Sequence, residues 1–168
     1  MLVAQLTTCA LPPLTYHNRR LHFFSIFDYA MGRADVARPR TVCCAIPIAR
    51  SAGKVLLVTS RKRPHQWVLP KGGWETTDPT LEAAACREAF EEAGVQGKIT
   101  RAVTTIPGPT ANYHFFELDV VGLADRWDEA SERRREWVDF AEALRRVTWK
   151  PELAEALMMC SLAPPPRR

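Results

Sequence analysis

Pro70-Lys71-Gly72-Gly73 is followed, after thirteen residues, by Arg87-Glu88-Ala89-Phe90-Glu91-Glu92-Ala93-Gly94-Val95. Between them Asp78 is placed to cap a helix, Pro79 to fill its first position, and Gly94 to end it in a left-handed cap, so a helix is expected over 79–93. On a 3.6-residue wheel Ala85, Cys86, Ala89, Phe90 and Ala93 form the apolar arc, and Glu88, Glu91 and Glu92 gather within about a quarter of the circle. Like charges at i, i+3 and i+4 cost a helix a few tenths of a kcal/mol per pair. A bound divalent cation reverses that sign, and an oxygen-rich donor set suits Mg²⁺ or Mn²⁺. Taken alone, such a triplet is more often a solvated acidic face. The preceding loop changes the balance, because its two glycines let backbone approach a ligand and Lys71 offers a point charge.

The charge distribution around this stretch points the same way. From Val36 to Trp74 there is no acidic residue, whereas Arg38, Arg40, Arg50, Lys54, Arg61, Lys62, Arg63 and Lys71 are basic. From Glu75 to Glu92 six carboxylates stand against the single cation Arg87. A basic block followed at once by an acidic one can bring anion contacts and metal ligands to one site. The net charge of +4 permits an anionic partner without naming one. At 168 residues, 46% hydrophobic and 25% charged, the chain is expected to form one core that needs no disulfide or metal staple. The five cysteines form no Cys-x-x-Cys pair and read as reduced thiols of a cytosolic-type compartment; Cys43 and Cys44 would face opposite sides of a strand. No run approaches the ~20 apolar residues of a membrane span.

Residues 1–37 read as an N-terminal extension expected to be disordered, 38–161 as the domain, and 162–168 as a Pro-rich tail. Mitochondrial targeting by the basic extension is an alternative to a plain tail. Within the domain, 41–48 and 54–60 read as a hairpin, 67–70 as a short extended piece, 98–106, 112–121 and 137–140 as strands, and 141–147 and 151–160 as helices. Mixed strand pairing with interspersed helices gives an α+β sandwich. Trp67, Trp127, Trp137 and Trp149 are assigned to packing. Gly-x-Ser-x-Gly and P-loop patterns are absent, which disfavours serine hydrolases and nucleotide kinases.

Gly73, Arg87, Glu88, Glu91, Glu92 and Gly94 match the fixed positions of the Nudix box, and the chain resembles that hydrolase family. One position departs: Pro79 stands where the pattern has Glu, with Asp78 and Glu75 nearby, which touches an outer carboxylate and the metal count. The resemblance implies a Nudix-type α/β/α sandwich with a mixed sheet and Mg²⁺-dependent hydrolysis of a diphosphate linkage, for which Mn²⁺ can substitute. By residue it implies Glu88 and Glu92 as metal ligands, Glu91 as general base and a further candidate ligand, and Arg87 orienting the glutamates.

Residues 61–73, Trp127, the segment 133–137 and Lys150-Pro151 narrow the resemblance to the diphosphoinositol polyphosphate phosphohydrolase branch, over about residues 38–160. That branch implies cleavage of diphosphoinositol and diadenosine polyphosphates, with inorganic polyphosphate as a third class. It places Arg38, Arg40, Lys62, Lys71, Gly72, Gly73, Arg133 and Lys150 at the substrate, although the 107–111 connection lacks the basic residues that relatives often carry. The expected partner is a small, highly anionic molecule, with no membrane and no obligate nucleic acid, bound by a monomer in the cytoplasm and also the nucleus. The alternatives are a Nudix enzyme for nucleoside triphosphates, ADP-ribose or mRNA caps, and a non-catalytic basic RNA-binding or regulatory module.

Overall fold

The computed structural model describes residues 38–165; the extension read over 1–37 and residues 166–168 lie outside the described residues. Strand β1 (Arg40–Ala49) turns through a short 3₁₀ segment and Gly53, at φ +60°, into β2 (Lys54–Ser60). Then come β3 (Arg63–Val68), β4 (Lys71–Gly73), α1 (Leu81–Ala93), β5 (Val95–Ile106), β6 (Ala111–Leu123), β7 (Arg135–Asp139), α2 (Phe140–Val147) and α3 (Pro151–Met158). The sheet runs β3-β2-β1-β6-β5, with β4 also pairing β1 and β7 also pairing β2. β1 and β6 are parallel from Arg40 opposite Ala111 to Ile48 opposite Asp119, and the other pairs are antiparallel.

Seven consecutive residues of β1, Val42 to Ile48, are buried, which requires cover on both faces of the sheet. Helix α1 packs on β1, β4 and β5, while α2 packs on β2, β3, β7 and α3, completing an α/β/α sandwich with a mixed sheet. Trp67, Trp137 and Trp149 pack against the core, and Cys43, Cys44, Cys86 and Cys160 are free thiols. No helix among the described residues is long and apolar enough to cross a membrane.

Two local expectations are corrected. The helix starts at Leu81 rather than Pro79, and its cap is Thr80, whose hydroxyl accepts the Ala83 N–H at 3.1 Å. Asp78 is drawn away from capping because Arg87 takes its carboxylate. The Lys71-Gly72-Gly73 segment is also a strand rather than a loop, since β1 supplies pairing partners from Val42 to Cys44. At the end of the domain Ser161 donates to buried Glu117, and the next residue, Leu162, packs on the core.

Candidate active site

Helix α1 and strand β4 face each other, and the sequence makes their close approach feasible. A Cβ at Gly72 would overlap the Glu88 carboxylate, so only glycine lets that carboxylate lie against the strand. At the far end Gly94 closes the helix at φ +63°, donating to the carbonyls of Ala89 and Phe90. Three glutamates at i, i+3 and i+4 are thereby presented on one side: Glu88 and Glu92 buried, Glu91 half-buried.

Arg87 stitches this face together. Its Nε and Nη2 donate to the two oxygens of Asp78 at 3.0 and 2.9 Å, and Nη2 also donates to the Gly73 carbonyl at 2.9 Å. Nη1 reaches Glu88 at 2.9 Å and Glu91 at 3.1 Å. The paired hydrogen bonds from Arg87 hold the Asp78 carboxyl below its usual range. Asp78 also accepts the Glu75 N–H, which fixes the turn leading into the helix.

Glu92 lies deeper. One carboxylate oxygen accepts the Lys71 N–H at 3.1 Å and the other is paired with Arg133. Burial nevertheless pushes its carboxyl up to about 7, with Lys71 and Arg133 offsetting only part of the cost. Burial raises Glu88 in the same direction and lowers the Lys71 ammonium. Among the described residues no three His, Cys, Asp or Glu side chains form a ready-made metal cage, because Arg87 lies across Glu88 and Glu91, and Arg133 holds Glu92. The donor chemistry still fits a hard divalent cation: Glu88, Glu91 and Glu92 offer carboxylate oxygens from one helix face, with Glu88 and Glu92 against the Lys71-Gly72-Gly73 strand.

Beside this face opens a cavity of about 430 Å³. Arg40, Arg61, Lys62, Arg63, Lys71, Arg133 and Lys150 border it with Gly72, Gly73, Ser60, Tyr113 and Trp149, and no carboxylate is among its lining residues. Lys150 sits 5.5 Å from the Tyr113 ring centroid and 6.0 Å from that of Trp149, with its ammonium on Glu152 at 2.9 Å. Every substrate-side residue expected from the sequence borders this cavity except Arg38, which is exposed at the first described position. Arg133 differs from expectation in one respect. It is buried, and its three guanidinium nitrogens are taken by Glu92, Glu129 and the Thr59 carbonyl.

Sequence reading missed Glu129, Ser60, Tyr113 and the cavity-facing position of Trp149. Only the i, i+4 spacing of Glu129 and Arg133 could have flagged the first.

Residues 38–158 match the NUDIX domain. Diphosphoinositol polyphosphate phosphohydrolase 3-alpha of Mus musculus is 33% identical over 135 residues, covering 77% of this chain and 81% of that protein. Nudix hydrolase 21, chloroplastic, of Arabidopsis thaliana is 34% identical over 113 residues, covering 62% of this chain and only 57% of the plant protein. Among solved structures, a NUDIX hydrolase from Nitrosomonas europaea superposes with a TM-score of 0.57 at 25% identity, over 71% of this chain and 68% of that one. The fold, the glutamate face of α1 and a match spanning most of the described residues lead to one conclusion: the chain belongs to the Nudix hydrolase family.

Proposed function

We propose that the chain is a Mg²⁺-dependent phosphohydrolase that cleaves the phosphoanhydride bond of diphosphoinositol polyphosphates and of diadenosine polyphosphates, with inorganic polyphosphate as a third substrate class. The observation that carries this reading is the cavity rimmed by cations and free of carboxylates, opening beside the glutamate face of α1. Each phosphate taken out of water needs a cation or backbone donors, and an inositol bearing many phosphates needs more of them than a nucleotide sugar does. The name of the mouse relative supports the inositol part.

Glu88 and Glu92 are the proposed ligands of Mg²⁺, with Glu91 a third candidate and Mn²⁺ a workable substitute. Such a cation, when bound, neutralises phosphate charge and acidifies water. This chain's own residues do the rest. Glu91, the most exposed of the three glutamates, accepts a proton from the attacking water as its oxygen bonds to phosphorus. The bridging P–O bond breaks and its electron pair leaves with the departing phosphate oxygen. Arg87 keeps Glu88 and Glu91 in place from its anchorage on Asp78 and Gly73. Arg40, Lys62, Lys71, Lys150 and the Gly72-Gly73 backbone hold the phosphates, and Arg38 reaches the longer anions.

The test is a panel with Mg²⁺: a diphosphoinositol phosphate, diadenosine polyphosphates, inorganic polyphosphate, ADP-ribose, a nucleoside triphosphate and a capped RNA. Hydrolysis of the first two in preference to the last three is expected. Glu92→Gln should lower turnover by at least ~10²-fold in a folded protein, because an amide is a poor ligand for a hard cation. Preference for ADP-ribose, nucleoside triphosphate or cap would replace the substrate assignment. Binding of RNA without turnover of anything would replace the catalytic one.

A further inference from the structure

Arg133 and Glu129 make contacts that the phosphate-contact reading does not account for. Arg133 is buried, and each guanidinium nitrogen is committed to a different acceptor: Nη2 to Glu92, Nε to Glu129, and Nη1 to the Thr59 carbonyl at 2.8 Å. The backbone beside it is pinned as well. Thr59 N–H donates to the Arg134 carbonyl at 2.9 Å, and the Arg134 N–H donates to the Thr59 hydroxyl at 3.0 Å. Three of the fork's five N–H donors are committed, one on each nitrogen, so Arg133 has less to offer a phosphate than a free guanidinium has.

Glu129 sits at the junction of these contacts. Its second carboxylate oxygen receives Arg61 at 3.0 Å, and its backbone N–H donates to the Glu91 carbonyl at 3.1 Å, tying its loop to the C-terminal turn of α1. One positive charge is thus shared between two carboxylates, Glu92 and Glu129, in a poorly solvated place where charge interactions are strong. With Glu129 present, Arg61, Arg133, Glu92 and Glu129 together are neutral. Without it the two arginines leave a net positive charge beside Glu92, and a cation approaching Glu92 has to compete with the whole of Arg133's charge.

We propose that Glu129 is a positioning residue that acts through Arg133, sharing its charge so that the Glu92 carboxylate stays available to a divalent cation. This rests on the reading of Glu92 as a metal ligand. Glu129 touches neither substrate nor cation in this assignment, and Arg133 is a positioning residue as well.

The test titrates Mn²⁺ alone into the full chain by calorimetry, for the unaltered protein, Glu92→Gln, Glu129→Gln, Arg133→Met and the double variant Glu129→Gln/Arg133→Met. Glu129→Gln keeps the backbone hydrogen bonds of the loop, so a loss cannot be assigned to detachment of that loop from α1. The expected result is a Mn²⁺ affinity lowered about tenfold by Glu129→Gln, the scale typical of groups that orient a ligand. In the Arg133→Met background the same substitution should have no further effect, because the intermediary is gone. If Arg133→Met does not fold, Arg133→Lys replaces it: its compact ammonium lacks the planar fork that places a separate nitrogen on each carboxylate, and the Glu129→Gln penalty should shrink. Turnover gives a second readout, with kcat of Glu129→Gln recovering as Mg²⁺ is raised while KM for the phosphate substrate is unmoved.

Unchanged Mn²⁺ affinity in Glu129→Gln would overturn the proposal, and so would a penalty of equal size in the Arg133→Met background, which would make Glu129 a direct ligand. The underlying reading fails separately: Mn²⁺ affinity unchanged by Glu92→Gln removes Glu92 from the metal site and the proposal with it.

Discussion

Glu92 is buried with its carboxyl pushed up to about 7, because desolvation outweighs the help of Lys71 and Arg133. An acid whose folded pKa exceeds its ordinary 4.5 binds protons more tightly in the folded state, so between those values the folded state holds more protons than the unfolded one. Stability of the cation-free protein should therefore be highest below pH 4.5 for this group and fall as pH rises through about 7. The loss is on the order of 1 to 3 kcal/mol. Thermal melts without metal at a series of pH values should show that slope, and Glu92→Gln should flatten it; a parallel slope in the variant would mean that Glu92 is not its source. Gly72 and Gly73 make a second contrast at this scale. Gly72→Ala places a methyl group on the Glu88 carboxylate and should lower turnover on the order of 10²-fold, the cost of misplacing a reacting group by about 1 Å. Gly73→Ala meets nothing within 4 Å and should stay within about twofold. Equal losses in both variants would show that the strand needs glycine for another reason. The glutamate face was readable from the 3.6-residue period alone. The Glu92–Arg133 pair was not, because its partners are 41 residues apart and meet only after folding.

Elements show where local rules gave way to tertiary contacts. Asp78 has better capping chemistry than Thr80, yet Thr80 caps α1 and the buried Asp78 is clamped by Arg87. Sequence propensity ranks the two caps in isolation and does not contain the arginine about two helical turns further along. Lys71-Gly72-Gly73 was unreadable as a strand for a similar reason: glycine disfavours strands, and the pairing that overrides this comes from Val42 to Cys44 on β1. By contrast the ends of α1 at Gly94, and of α2 and α3 near their expected starts, follow from local chemistry that nothing distant contests. If the division between the two residues is correct, they separate in experiment. Thr80→Ala removes only the cap, so chemical denaturation should show about 1 kcal/mol lost with turnover at saturating substrate retained. Asp78→Asn weakens the anchor of Arg87 and should lower turnover as well as stability. A Thr80→Ala variant that loses activity in proportion to Asp78→Asn would show that helix fraying, rather than the Arg87 clamp, governs the site.

On the scale of the whole molecule, the parallel pairing of β1 with β6 brings Arg40 beside Ala111 and places Tyr113 in the same cavity wall as residues from 60–63, 71–73, 133 and 149–150. The basic block was visible in the sequence, but its convergence with Lys150 was not, since no local pattern spans such separations. The resulting site pairs an anion-attracting cavity with carboxylates, and that polarity yields a specificity test. Lys62 is exposed at the rim, and Lys150 is held by Glu152 and by the rings of Tyr113 and Trp149. Lys62→Ala and Lys150→Ala should each weaken transition-state binding of a diphosphoinositol polyphosphate by on the order of 1 to 3 kcal/mol, measured as kcat/KM. Lys62, being solvated, belongs at the lower end, and its effect should diminish with added salt as screening replaces it. Lys150, held among aromatic groups, should keep its effect in salt. ADP-ribose presents fewer phosphates and should lose less in both variants. A uniform loss across all substrates would mean that these lysines support the catalytic face rather than recognise extra phosphates, and losses confined to nucleotide substrates would move the preferred substrate away from the inositol class.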